Sequence, residues 1–267
     1  MTWAIFRKSF RDSRFALLGW GIGLGAYAML VASLFSTIKE QEAEIRKLIE
    51  SMPKGFMNFV GGADVLTTPE GLIQARIFLT VPLLLGFYVI VLGIGAISGE
   101  ERRQTMDVLV TLPIPRWQLL TEKWLSTGAV MACILAIQCT ALSISTRLWQ
   151  DVTLNVGNLI ATHIGAWLLL MSIGGVAFLL SAALPMHRRW GMAIASAYLV
   201  ASYLIYNLGN AVDVIKPFQS FTAFAYFDSL KWLQSGFQAG QALVLVGLIA
   251  ILYSASLYAF EHRDLGT

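Results

Sequence analysis

Charge is what this sequence has least of. Charged residues make up 13% of its 267 residues, whereas a soluble domain carries about 25%. This low density leaves too little polar surface to cover a water-soluble globule, and the mean hydropathy of +0.67 agrees. Because helices satisfy their own backbone groups in lipid, we predict an all-α, polytopic protein of the cell membrane.

Cysteine and histidine are scarce as well. Cys133 and Cys139 lie within one apolar run, which excludes both a zinc-ligand spacing and an extracellular disulfide framework. His163, His187 and His262 are far apart in the predicted topology, so no two of them are placed to share a metal ion or a proton. We expect no metal site, no catalytic residues and no enzymatic activity in this chain.

Two further absences limit the energy source. No G-x-x-x-x-G-K-[ST] loop occurs, so no phosphate-binding loop is present and any ATP hydrolysis must belong to another polypeptide. The predicted span centres hold no acidic or basic residue, which counts against a proton- or sodium-coupled carrier. The basic residues lie near the ends of the apolar runs rather than on one face, so we expect no nucleic-acid partner.

Six apolar runs are long enough to cross a bilayer, which requires about 20 residues. They are residues 17–38, 77–98, 125–146, 159–184, 190–208 and 242–260. Eleven of the 19 lysines and arginines lie at the N-terminus, in the 99–124 loop, in the 185–189 turn and in the tail. Such residues accumulate on cytoplasmic loops, so we predict that both termini and the 99–124 loop are cytoplasmic.

Three segments outside these runs have structure-forming patterns. Residues 1–14 place aromatic and basic residues on adjoining helical faces, which predicts either an interfacial helix or a plain basic leader to the first span. Residues 39–76 predict an extracytoplasmic cap on the lipid surface, with a solvated loop as the alternative. Residues 209–241 are aromatic and amphipathic, which predicts short interfacial or re-entrant helices on the same side.

Four glycines in the first run predict a helix-packing seam, because small residues let two membrane helices approach closely. They are Gly19, Gly21, Gly23 and Gly25. A hinge at these glycines is the alternative.

The stretch SGEERRQTMDVLVTLPIPRWQLLTEK, residues 98–123, is the only long polar interruption with both dense charge and a helical apolar stripe. Met106, Leu109 and Val110 form this stripe over residues 101–112. The acidic pair before it favours a helix start, where the helix dipole is positive. Pro113 and Pro115 then stop the helix, because neither has an amide hydrogen to donate.

A helix this short is marginal alone in water, so its apolar stripe needs a partner. The partner is either the membrane surface or a soluble protein, and the charges on both sides of the stripe favour the protein. Arg116 follows the prolines and is placed to clamp a carboxylate or the C-terminal carbonyls of this helix.

This stretch resembles the signature of ABC-2 type transporter permeases, in which an acidic pair precedes a Gly-Thr, a short acidic-apolar helix and a Pro-x-x-Arg turn. The matching positions are Glu100, Glu101, Thr105, Asp107, Leu109, Pro113 and Arg116. Gln104 stands where the family usually has glycine, which predicts a stiffer joint. With the six-span layout, the resemblance covers most of the chain.

The resemblance implies a coupling helix that sits in a cleft of a cytoplasmic ABC ATPase, which binds the ATP and magnesium. It assigns coupling roles to the matching residues and to Met106. It further implies a dimer with a second permease half, identical or homologous, that exports a substrate by alternating access. The alternative is a membrane scaffold or membrane enzyme whose cytoplasmic helix docks a regulator.

Overall fold

A computed structural model describes residues 3–41, 68–97, 115–184, 188–209, 212 and 214–263. These residues form α-helices with short 3-10 and π-helical pieces, and they contain no strand. The prediction of an all-α fold is confirmed.

Six helices in the described ranges are long and apolar enough to cross a membrane, which confirms the predicted number. The first to sixth spans are Arg14–Glu40, Pro69–Gly95, Arg116–Leu148, Val156–Ala183, Arg188–Leu208 and Ala239–Glu261. Successive spans run in opposite directions, so residues near both chain ends meet at one end of the bundle, here called the terminal end. Lys39 and Asp151 form a 2.7 Å salt bridge at the opposite end.

All six spans begin earlier than the sequence predicts, four of them by two or three residues and the second and third by eight and nine. The second starts at Pro69, after Thr68 whose hydroxyl accepts a hydrogen bond from the Gly71 amide, and passes through a π-helical turn, Gln74–Phe78. The third starts at Arg116, so its first turns occupy part of the predicted 99–124 loop. The first residues of both helices are polar. The prediction from apolar runs therefore assigns them to loops.

The fourth span is the hub of the bundle and has the largest buried share of the six. Its glycines allow close crossings. A Cβ on Gly174 would lie 2.8 Å from Val89 of the second span, and one on Gly175 would lie 3.0 Å from Leu252 of the sixth. The second and sixth spans therefore pack closely against the fourth.

The predicted seam in the first span is formed by two of its four glycines. A Cβ on Gly21 would lie 2.6 Å from Ile137 Cδ1 of the third span, and one on Gly25 would lie 3.5 Å from the Ala141 Cβ. Gly19 and Gly23 have nothing within 4 Å among the described residues. Residues four apart share a helix face, whereas residues two apart do not, so the packing face runs through Gly21 and Gly25.

Short helices between the fifth and sixth spans are present as predicted. They are two 3-10 helices, Lys216–Phe221 and Ala223–Tyr226, and one α-helix, Ser229–Ser235. The ring of Phe227 reaches Gly165, where a Cβ would lie 2.8 Å from it. Gly165 lies nine residues into the fourth span, about 14 Å along its axis. This segment thus enters the bundle, and its position relative to a membrane surface stays a prediction.

Candidate functional site

Most of the predicted coupling stretch, residues 98–114, lies outside the described residues, as do residues 42–67 of the predicted cap. Of the residues predicted to couple, only Arg116 is described. The structure does show how the two flanks of this stretch, Ile97 and Pro115, are held at the terminal end. We call the polar side chains that hold them the collar; its members are Arg116, Glu122, Lys123, Ser181 and Arg263.

Arg116 ties the start of the third span to the end of the sixth. Its Nη1 donates to the carbonyl oxygens of Phe260, Glu261 and Arg263, at 3.3, 3.4 and 2.7 Å. The last carbonyls of a helix have no partner within the helix, and a cation is favourable there. The sequence predicts that its acceptor is a carboxylate or the C-terminal carbonyls of the preceding helix. In the described structure its acceptors lie at the end of the sixth span instead.

Lys123 connects the two flanks of the coupling stretch. Its ammonium group donates to the carbonyl oxygen of Ala96 at 2.6 Å, and the residue is only 7% exposed. Ala96 follows the last helical residue of the second span, Gly95, so its carbonyl is one that the helix leaves unpaired. The bond therefore fixes where the second span ends relative to where the third begins.

Glu122 caps the N-terminal helix, Ala4–Asp12, from a distant part of the chain. Its Oε2 accepts hydrogen bonds from the amides of Ile5 and Phe6, each at 3.0 Å, and Oε1 accepts one from Gln118 at 2.7 Å. The helix has no side-chain cap of its own. A carboxylate at the positive end of a helix dipole is favourable, and Glu122 is only 4% exposed.

Two further contacts bring the fourth span into the collar. Arg263 donates to the Ser181 carbonyl at 3.1 Å, and the Ser181 hydroxyl donates to the Ile94 carbonyl at 2.9 Å. Beside them, the Trp124 ring packs between Phe178 and Tyr253, with centroids 4.8 and 5.2 Å away. Four span ends and the N-terminal helix are thus joined around the flanks of residues 98–114.

The N-terminal helix offers a direct check of this arrangement. Glu122→Ala removes an acceptor shared by two amides, and hydrogen bonds to charged groups contribute about 1.5–3 kcal/mol. We expect hydrogen exchange in Ala4–Asp12 to rise at least tenfold, as measured by mass spectrometry. Glu122→Gln keeps an acceptor and should raise exchange less.

Glu261→Ala is the matched control, because Glu261 is an exposed carboxylate at the same end of the bundle. It should leave exchange in the N-terminal helix unchanged. Equal exchange in the Glu122→Ala variant and the native chain would contradict the capping role.

No three His, Cys, Asp or Glu side chains within the described ranges come together as metal ligands would. The model of one protein family, described as ABC-2 family transporter protein, matches residues 3–265. A search of curated proteins found no match. The family match covers nearly the whole chain, including the six spans and the collar, and the chain therefore belongs to the ABC-2 family of transporter proteins.

Proposed function

We propose that this permease subunit converts ATP hydrolysis by a separate ABC ATPase into alternating access, with residues 98–114 as the coupling element. Membership of the family implies an ABC ATPase partner and a membrane-embedded permease. The proposal adds that the ATPase docks at the terminal end, which is cytoplasmic, and that the cargo is exported. A second permease half, identical or homologous, completes the transporter around a two-fold axis.

The observation that carries the proposal is that both flanks of residues 98–114 are bonded to other span ends. Lys123 joins the flanks to each other, and Arg116 joins the second flank to the end of the sixth span. A load applied to the coupling stretch would therefore act on the second, third and sixth spans together. A loop that only connected two helices would need no such bonds.

The exposed apolar faces of the fifth and sixth spans support the proposal of a second permease half. In the most apolar 18-residue stretch of each span, only 28% is buried in the fifth span and 17% in the sixth, against 72% in the fourth. Leu243 and Ile251 of the sixth span are 75% and 68% exposed. Lipid covers such faces well, and a second copy of the bundle can replace part of that lipid, which gives room for a pathway between two halves.

The direct test is Arg116→Ala in the complex of this chain with its ATPase. The ATPase should still co-purify, because the predicted docking stripe is unchanged. The rate of ATP hydrolysis by the complex in lipid nanodiscs differs from that of the isolated ATPase. This difference should fall by about fivefold or more, since the link to the sixth span is lost. Arg116→Lys should be intermediate, because a lysine offers a point charge without the guanidinium fork.

Arg147→Ala is the control, because Arg147 is an exposed arginine at the other end of the same helix. It should leave the rate difference unchanged. An unaltered rate difference in Arg116→Ala would remove this residue from the coupling path. If the partner bound this chain equally well with and without nucleotide, the scaffold alternative would be favoured. Catalytic activity of the isolated chain would favour the membrane enzyme.

A further inference from the structure

A basic patch covers the junction between the N-terminal helix and the first span. It consists of Arg7, Lys8, Arg11 and Arg14, and all four side chains are exposed. None of them forms an ion pair or a side-chain hydrogen bond with another described residue. The same segment carries one acidic residue, Asp12. The patch therefore has an excess of positive charge that no other group of the described chain neutralises.

Two of these arginines share a recess of about 460 Å³ at the end of the N-terminal helix. Its lining consists of Arg11, Asp12, Arg14 and Phe15. A guanidinium group presents a fork of N–H donors that matches the oxygens of a phosphate. The Asp12 carboxylate weakens the attraction for an anion, but it does not cancel two cations. The recess thus offers two guanidinium groups to one phosphate.

The N-terminal helix is held in place, so the arginines are positioned before any ligand binds. Glu122 accepts from the amides of Ile5 and Phe6, the side chain of Ile5 is buried, and Phe10 packs against the core of the bundle. A site that is already ordered loses less entropy when a ligand binds. This anchoring distinguishes the recess from a basic segment that only precedes a span.

Beside the recess, the first span carries an exposed apolar strip. It is formed by Phe15, Leu18 and Ile22, whose spacing of three and four residues places them on one helix face. The Arg14 guanidinium carbon lies 4.7 Å from the centroid of the Phe15 ring, which holds the charge at the border of the strip. The strip belongs to a helix long and apolar enough to cross a membrane, so acyl chains are its natural neighbours.

We propose that Arg11 and Arg14 bind the phosphate of an anionic phospholipid whose acyl chains lie along this apolar strip. Arg7 and Lys8 add attraction for the negative surface of the membrane. An acidic surface of a soluble protein would match the cations, but it would not cover an apolar strip within a membrane span. This inference goes beyond the proposed function and does not depend on ATP coupling, since it concerns the lipid contacts of the permease chain.

The test compares two lipids with the same dioleoyl chains. Phosphatidylglycerol carries a net negative charge, whereas the choline of phosphatidylcholine neutralises its phosphate. The purified full chain in a neutral detergent is mixed with equal amounts of both lipids, and the bound lipids are counted by native mass spectrometry. Bound phosphatidylglycerol should exceed phosphatidylcholine at least fivefold. The double variant Arg11→Gln with Arg14→Gln should lower this ratio at least threefold.

The matched control is Arg147→Gln with Lys216→Gln, which removes two exposed cations at the opposite end of the bundle. It should leave the lipid ratio unchanged. Arg11→Lys with Arg14→Lys keeps both charges without the guanidinium forks, so it should fold and keep part of the preference. Equal binding of both lipids by the native chain, or the same ratio in the glutamine variant and the control, would overturn the proposal.

Two further measurements identify the occupant. Phosphatidylglycerol with a diazirine in an acyl chain should label peptides that contain residues 15–22, and at least threefold less in the glutamine variant. A tenfold excess of glycerol 3-phosphate should leave the bound lipid in place; complete displacement would assign the recess to a soluble phosphate and refute the lipid site. A glutamine variant that kept the lipid preference but lost the ATPase would identify a protein contact instead. The outcome of Arg116→Ala does not affect these results.

Discussion

Replacing both Met106 and Leu109 with aspartate is expected to separate this chain from its ATPase. The two side chains belong to the apolar stripe that the sequence predicts for residues 101–112, and burial of such a side chain contributes about 1.5–3 kcal/mol. Their loss, together with the cost of burying unpaired carboxylates, exceeds the 1.4 kcal/mol that corresponds to a tenfold change in affinity. ATPase recovered with the purified permease should fall at least tenfold.

The control is Gln104→Asp, which introduces the same residue into the same stretch on the predicted polar face. It should retain the ATPase, so the comparison isolates the position of the new charge from its presence. Recovery can be measured by quantitative gel analysis after affinity purification from membranes. Full recovery with the double aspartate variant would assign the stripe to the membrane surface and remove the docking role from residues 98–114.

This variant and Arg116→Ala are expected to fail in different ways. The aspartates remove binding, whereas Arg116→Ala leaves binding and reduces the effect of binding on the ATPase. The difference follows from where the residues lie. The stripe is predicted to contact the partner, and Arg116 contacts the end of the sixth span within the permease.

The number of spans could be predicted because each requires about 20 apolar residues, and such runs are local in sequence. Span ends could not be predicted equally well. The predicted 99–124 loop includes Glu122 and Lys123, because charged residues usually face water, yet both are buried and hydrogen-bonded in the first turns of the third span. The partner of Glu122 is 117 residues away, and no local pattern reports such a pair.

Contacts between residues far apart in sequence also limit the prediction of the candidate site. The sequence predicts that Arg116 clamps a carboxylate or the C-terminal carbonyls of the helix before it. It could not identify the acceptors, since every helix end offers similar free carbonyls. The capping of the N-terminal helix by Glu122 was missed entirely. The spacing of Gln118 and Glu122, one helical turn apart, was the available signal.

Helix crossings show a related limit. Four closely spaced glycines mark the first span in the sequence, but the crossing with less freedom to adjust lies between the second and fourth spans, where a Cβ on Gly93 would meet a Cβ and a backbone oxygen. Neither Gly93 nor Gly174 has a small residue four positions away in the sequence, so neither forms a small-xxx-small pattern. Only the structure shows that a Cβ on Gly93 would lie 2.8 Å from the Ala177 Cβ and 3.2 Å from the Gly174 carbonyl oxygen.

Gly93→Ala is therefore expected to destabilise the bundle strongly for so small a change. Neither contacting atom is the end of a flexible side chain, so the helices themselves must shift. Overpacking of this kind costs about 1–3 kcal/mol, which corresponds to a fall in melting temperature of about 2–10 °C. Thermal unfolding of the detergent-purified chain measures it. Gly95→Ala, where a Cβ would meet nothing within 4 Å in the part of the chain that the structure describes, should change the melting temperature little.

The double variant Gly93→Ala with Ala177→Gly distinguishes a steric cause from a general intolerance of the second span. Ala177→Gly removes the atom that a Cβ on residue 93 would meet at 2.8 Å, so the pair should regain at least half of the lost stability, a non-additive result expected only for residues in contact. Additive losses would show that the crossing is not the cause. Gly93 also lies one turn before Ala96, whose carbonyl accepts from Lys123. Separating the second and fourth spans would move this acceptor, so Gly93→Ala should also reduce ATPase coupling, and the double variant should restore it.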